Sequence, residues 1–163
     1  MFSVKLIGLA EKVILACEKN NLQLTTAESC TGGLISGCLT AVSGASKILH
    51  CGYVTYTNKS KTKLLGVSAN ILNEHGAVSE IVSKSMANGA IKSGNADVSV
   101  SVTGIAGPGG GTTNKPVGLV HISAARKNFK ILHERHLFDG DRETIRLQTV
   151  KTALELLLKQ VKA

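Results

Sequence analysis

The sequence predicts an α/β fold: a three-layer α/β/α sandwich around a mixed central sheet, in a single domain over residues 1–163. Three observations predict it. Apolar residues recur at helical spacing near both ends of the chain. Short β-branched or alternating runs fill the middle. The two kinds of segment interleave, which calls for helices on both faces of a sheet. A length of 163 residues suits one domain with a substantial core. Only 3% of residues are aromatic and Trp is absent, so Ala, Val, Ile and Leu must build that core.

The elements follow in chain order. Leu6, Ile7, Ala10, Val13, Ile14 and Cys17 make an amphipathic helix, interrupted by Glu11 and Lys12 as a signal peptide would not be. Asn20-Asn21 is a turn, and Leu22 to Ala27 is extended. Leu34 to Val42 is helical, and Ser43 to Ser46 is a loop. His50 to Tyr56 is a strand. Asn58 to Leu65 is a helical turn carrying Lys59, Lys61 and Lys63. Ser68 to His75 is a short helix stopped by Gly76. Ser79 caps a helix reaching about Ser93, whose small apolar residues imply close packing. Ala96 to Thr103 alternates apolar and polar residues like a half-buried strand. A glycine-rich loop spans Gly104 to Gly118. Leu119 to Ala125 and Phe129 to Phe138 are strands joined around Lys127-Asn128. Asp141 caps a last helix with a stripe of Leu147, Val150, Leu154, Leu157, Leu158 and Val161. The last three strands lie close together in sequence, so at least one pair is antiparallel.

The composition excludes disorder, collagen and a disulfide-stapled miniprotein. Cys17, Cys30, Cys38 and Cys51 form no C-x-x-C pair, and most of them read as buried thiols of a cytoplasmic protein. No apolar run approaches the roughly 20 residues of a membrane span. His50, His75, His121, His133 and His136 show no ligand spacing, so no metal site is expected. A net charge of +8 points to an anionic partner without saying which.

Three segments at predicted strand ends can carry chemistry, as strand ends do in α/β proteins. In Thr25-Thr26-Ala27-Glu28-Ser29-Cys30-Thr31-Gly32-Gly33, hydroxyl residues precede a helix whose free N–H groups can hold an anion or an oxyanion. Ser29 is then a nucleophile on a turn. The plainer reading is a helix capped by Ser29 or Thr31. In Gly52 to Lys61, both tyrosines of the chain stand near lysines, and a lysine base requires burial to lose its proton. The plainer reading is a strand and a solvated basic turn. In Thr103-Gly104-Ile105-Ala106-Gly107-Pro108-Gly109-Gly110-Gly111, backbone N–H groups can wrap a phosphate, or the loop is simply surface. Arg142 and Arg146, four apart on the last helix, can grip a phosphate or be solvated.

These segments, with His75-Gly76-Ala77-Val78-Ser79-Glu80, Lys115-Pro116-Val117-Gly118 and Phe138-Asp139-Gly140-Asp141-Arg142, together resemble the CinA C-terminal domain family, from about Ala10 to Leu158. Its characterised enzymes are nicotinamide-nucleotide amidases. The resemblance implies a stand-alone amidase that deamidates nicotinamide mononucleotide to nicotinic acid mononucleotide and ammonia, a pyridine nucleotide salvage step without metal or cofactor. It implies Ser29 as nucleophile, with Tyr56 and Lys61 as its catalytic partners. It implies a pocket for a phosphorylated pyridine nucleotide, lined by the glycine loop (Thr103, Gly104, Gly107, Gly109) and the Gly-Asp-Arg segment with Arg142. Thr31, Gly32, Gly33 and Arg146 complete the expected binding set. A homo-oligomer, dimer or larger, is expected, with the small residues of Ser79–Ser93 offering an interface.

In the expected mechanism, Lys61 takes the Ser29 proton, with Tyr56 as a relay. N–H groups at the helix start around Thr31–Gly33 receive the oxyanion. Cys30, next in sequence, points away from the nucleophile's side. Alternatives are an amidase acting on another pyridine nucleotide, or a nucleic-acid-binding module tied to competence and DNA damage. The scattered basic residues argue against the latter.

Overall fold

The polar half of one central strand shows how this chain packs with so few aromatics. In the computed structural model, which describes residues 2–163, β3 (Val98–Gly104) is buried on both faces rather than one. Val98, Val100 and Val102 enter the main apolar core. Ser99 and Ser101 lie under a helix, α5 (Glu80–Gly94), and donate to the carbonyls of Ala87 and Ser83 at 2.8 and 2.6 Å. Each buried hydroxyl thus has its partner. The alternation reported polar against apolar, and both sides are covered.

Five strands form one sheet in the order β2-β1-β3-β4-β5, with β1 Leu24–Glu28, β2 Leu49–Val54, β4 Leu119–Arg126 and β5 Leu132–Leu137. β1 is parallel to β2 and β3, while β3–β4 and β4–β5 are antiparallel. The sheet is therefore mixed, as expected. β5 is shorter than the sequence suggested. Residues 127–131 form the connecting turn, with Asn128 at φ +66° and the Phe129 N–H returning to the Arg126 carbonyl.

On one face lie α1 (Val4–Lys19), α2 (Leu34–Thr40) and α6 (Arg142–Lys162). Their apolar stripes close the main core. On the other face lie α3 (Asn58–Leu65), α4 (Ala69–His75) and α5, packed through Ala27, Leu65, Val82, Met86 and Ala90. Among the described residues no helix is long and apolar enough to cross a membrane.

The small residues of α5 face inward, which corrects their assignment to an oligomer interface. A methyl group on Gly89 would collide with the Leu65 carbonyl of α3. Ser79 also departs from expectation: its hydroxyl donates to the Gly76 carbonyl at 2.9 Å and caps no helical N–H.

The β1–α2 junction carries the larger correction. Neither Ser29 nor Thr31 caps α2. Glu28, with 0% of its surface exposed, turns its carboxylate onto the helix start. It accepts from the N–H groups of Gly33, Ile35 and Ser36 at 3.0, 3.0 and 2.9 Å. The hydroxyls of Thr31 and Ser36 add bonds of 2.7 and 2.8 Å. Five donors and the positive end of the helix offset the cost of burying the charge. The N–H groups expected to hold an anion are occupied from within. Glu28→Gln turns an amide donor toward these donors and should cost about 3 kcal/mol. Urea unfolding with an unchanged m-value measures it, and a loss below about 0.5 kcal/mol would contradict this reading.

Candidate active site

Strand order places the site. β1 lies between β2 and β3, its two parallel partners, so the chain leaves it toward one side and later returns on the other. A crevice opens at the carboxyl ends of such strands. Ser29 is the first residue past β1, and its N–H continues the ladder to the Val102 carbonyl at 3.1 Å.

Lys61 arrives from α3. A capping box fixes that helix directly after β2, with Ser60 N–H on the Thr57 hydroxyl and Thr57 N–H on the Ser60 hydroxyl, both at 3.1 Å. Lys61 is then the first residue of α3 that points inward. It is 1% exposed, while Lys59 and Lys63 are exposed, so burial selects one lysine of three. Its Nζ lies 3.0 Å from the Ser29 hydroxyl and 2.8 Å from the Thr55 carbonyl. Burial pushes the amine down to about 8. A neutral amine has two N–H bonds and one lone pair. The Thr55 carbonyl can only accept, so it takes an N–H and leaves the lone pair available to the Ser29 O–H. Thr55 is itself held by its N–H on the Glu28 carbonyl at 2.7 Å. Ser29 and Lys61 are thus referred to one stretch of backbone.

Cys30 lies in the apolar core at 5% exposure, and burial pushes its thiol up to about 12. It is a poor nucleophile at neutral pH. Tyr56 is 57% exposed, and its hydroxyl accepts from Arg142 Nη2 at 2.7 Å. Lys61 meets Ser29 directly, so the expected relay through Tyr56 is not needed. Tyr53 packs on the α3–α5 side with Ala27 and Leu65.

Ser29 and Lys61 open into a cleft of about 280 Å³. Thr103, Gly104, Gly107 and Gly109 line it, as does Arg142, whose Nη1 donates to the Gly107 carbonyl at 2.7 Å. Thr103 turns its hydroxyl to the Ala77 carbonyl at 2.8 Å. Four expected binding residues do not line the cleft. The Thr31 hydroxyl is spent on Glu28, and Gly32 and Gly33 stand beside Arg146 and Val54. Arg146 grips the carbonyls of Cys30 and Thr31 at 3.2 and 2.8 Å, bracing the loop after Ser29. Arg142 and Arg146 share a helix face yet serve different ends. Sequence reasoning passed over Asn58 and Ala77, which line the cleft, and Thr55, whose backbone orients the Lys61 amine. Backbone carbonyls leave no mark on residue identity.

Among the described residues, no three His, Cys, Asp or Glu side chains are placed to hold a metal ion. His121 and His133 meet at 3.0 Å, and burial pushes His121 down to about 4. A larger groove of about 690 Å³ lies between α1 and α6, lined by Ser3, Leu6, Leu9 and Leu147 and without Ser29 or Lys61.

Residues 7–161 match the model of the CinA C-terminal domain. The nicotinamide-nucleotide amidohydrolase PncC of Enterobacter agglomerans is 43% identical over 98% of this chain and 98% of that protein. Its namesake from Escherichia coli K12 is 42% identical over 98% and 97%. A CinA-like protein of Akkermansia muciniphila is 46% identical over 93% of this chain but 36% of its own length. The chain likewise spans 36–37% of the length of the first curated relatives it matches. The crystal structure of competence/damage inducible protein CihA from Agrobacterium tumefaciens superposes with a TM-score of 0.95 at 45% identity, covering 98% of each chain. The chain belongs to the CinA C-terminal domain family.

Proposed function

We propose that the chain is an amidohydrolase that converts nicotinamide mononucleotide to nicotinic acid mononucleotide and ammonia. Ser29 is the nucleophile and Lys61 the general base. The observation that carries this is the buried Lys61 Nζ, 3.0 Å from the Ser29 hydroxyl in a small cleft. Serine and a neutral lysine suffice for acyl transfer. The names of the full-length relatives point to the same carboxamide chemistry.

Lys61 draws the proton from Ser29 as the hydroxyl attacks the carboxamide carbon. The protonated amine then supplies that proton to the departing nitrogen. Water, activated by the same amine, frees the acid product from Ser29. Arg142 is the one guanidinium lining the cleft, and it suits the phosphate of a mononucleotide.

Three measurements test the proposal. Ser29→Ala should cut ammonia release from nicotinamide mononucleotide by about 10³-fold or more without changing the melting temperature, while Cys30→Ala retains activity. The reverse pattern would transfer the nucleophile to Cys30, and no release by the unaltered chain would reject the substrate. Activity requires neutral Lys61, and its amine is held at about 8. Below that pH the amine is protonated, so kcat/KM should climb tenfold per pH unit and level off above about 8. A flat profile between pH 6 and 8 would exclude Lys61 as the base. Arg142→Gln should raise KM for the mononucleotide by about tenfold more than KM for the riboside. Equal effects on both would remove Arg142 from phosphate recognition.

A further inference from the structure

When Ser29 attacks, the carboxamide oxygen turns anionic and needs fixed donors. The start of α2, directly after the nucleophile's loop, would be the ordinary place for them. It is filled by the Glu28 carboxylate, which would repel a second anion.

Of the backbone N–H groups on the cleft lining that meet no acceptor on another described residue, three belong to buried residues: Cys30, Ala106 and Gly107. All three residues are buried, Cys30 and Ala106 at 5% and 4% exposure. Buried backbone donors are nearly always paired, so three unpaired ones around one cleft mark a place for an oxygen. They come from two loops brought together by strand register. Glu28 stands opposite Val102, and the Ser29 N–H bonds the Val102 carbonyl. The residue after the nucleophile therefore borders the residues just past β3. The glycine loop is also held still. Ile105 N–H reaches the Leu119 carbonyl at 2.9 Å, Gly118 N–H reaches the Ile105 carbonyl at 2.8 Å, and Arg142 holds the Gly107 carbonyl. A positive φ of 75° at Gly107 turns the chain there, where an L side chain would be strained.

We infer that the oxyanion is received by the N–H groups of Cys30, Ala106 and Gly107, which makes the glycine loop part of the catalytic machinery. The inference rests on the serine–lysine reading above. In the step concerned, Ser29 Oγ bonds to the carboxamide carbon and its proton passes to Lys61 Nζ. The carbonyl π pair moves onto oxygen and is held by the three donors. The pair then returns, the C–N bond breaks, and the nitrogen takes the Lys61 proton and leaves as ammonia.

Replacing Ala106 by lactate through nonsense suppression exchanges only its N–H for an ester oxygen and keeps the methyl group. Ammonia release should fall about 10²-fold in kcat, with KM within about twofold and the pH midpoint unchanged. The same exchange at exposed Gly44, outside the cleft lining, should change neither. Wild-type kcat in the lactate variant would overturn the inference. Acylation of Ser29 by p-nitrophenyl acetate, followed by intact mass, uses the same oxyanion without the nucleotide. It should slow in parallel, and an unchanged acylation rate would overturn the hole whatever the natural substrate. A wild-type chain that never acylates at Ser29 would overturn both readings. Acylation that depends on the Ala106 N–H, without ammonia from the mononucleotide, would support the hole and reject only the substrate.

Discussion

The site depends on keeping one amine dry. Lys61 starts from a short helix on the outer layer, yet its Nζ ends between two oxygens in the interior. In water that amine would stay protonated at neutral pH. Burial lowers the amine to about 8, and only two oxygens face the nitrogen. The capping box at Thr57 and Ser60, the turn at Gly66 and the packing of Leu65 and Val67 all hold α3 where this is so. Each lies away from the chemistry, and each fixes where the amine sits.

A buried carboxylate, Glu28, stands one residue from Ser29. An ion pair with Lys61 would hold the amine protonated and occupy its lone pair. Glu28 avoids that by facing the other way. Its oxygens are saturated by α2, and burial, not the carboxylate, dominates the environment of Lys61. The same turn that presents Ser29 to the cleft sends the negative charge behind it. Arg146 reinforces the turn from the outer face through the Cys30 and Thr31 carbonyls.

Much of the fold was legible in the sequence because its signals were local. Helical stripes, turn glycines and the Asp141 cap all appear where their spacing predicted, and the cap bonds the Thr144 N–H at 2.8 Å. Ser29 stood out by its place between strand and helix, whereas Lys61 was distinguished from Lys59 and Lys63 only by resemblance. What stayed hidden was tertiary. A glutamate before a helix reads as solvated until its five donors are assembled around it. Ser99 and Ser101 read as exposed until α5 lies over them, although a truly solvated strand face would have carried Lys or Glu. Arg142 and Arg146 are equivalent by periodicity and are separated only by which loop each one meets.

The hydroxyl-lined seam between α5 and the sheet constrains how this chain can diverge. Ser83 bonds Ser123 at 2.8 Å, and Ser99 and Ser101 reach carbonyls of α5, while Gly89 leaves no room beside α3. Volume gained at one of these positions must be surrendered at its neighbour, and a lost hydroxyl strands its partner. Substitutions here should arrive in compensating pairs across the seam, whereas the exposed tip of the glycine loop can drift alone. Family alignments should therefore show correlated change along α5, β3 and β4, in positions that never touch substrate.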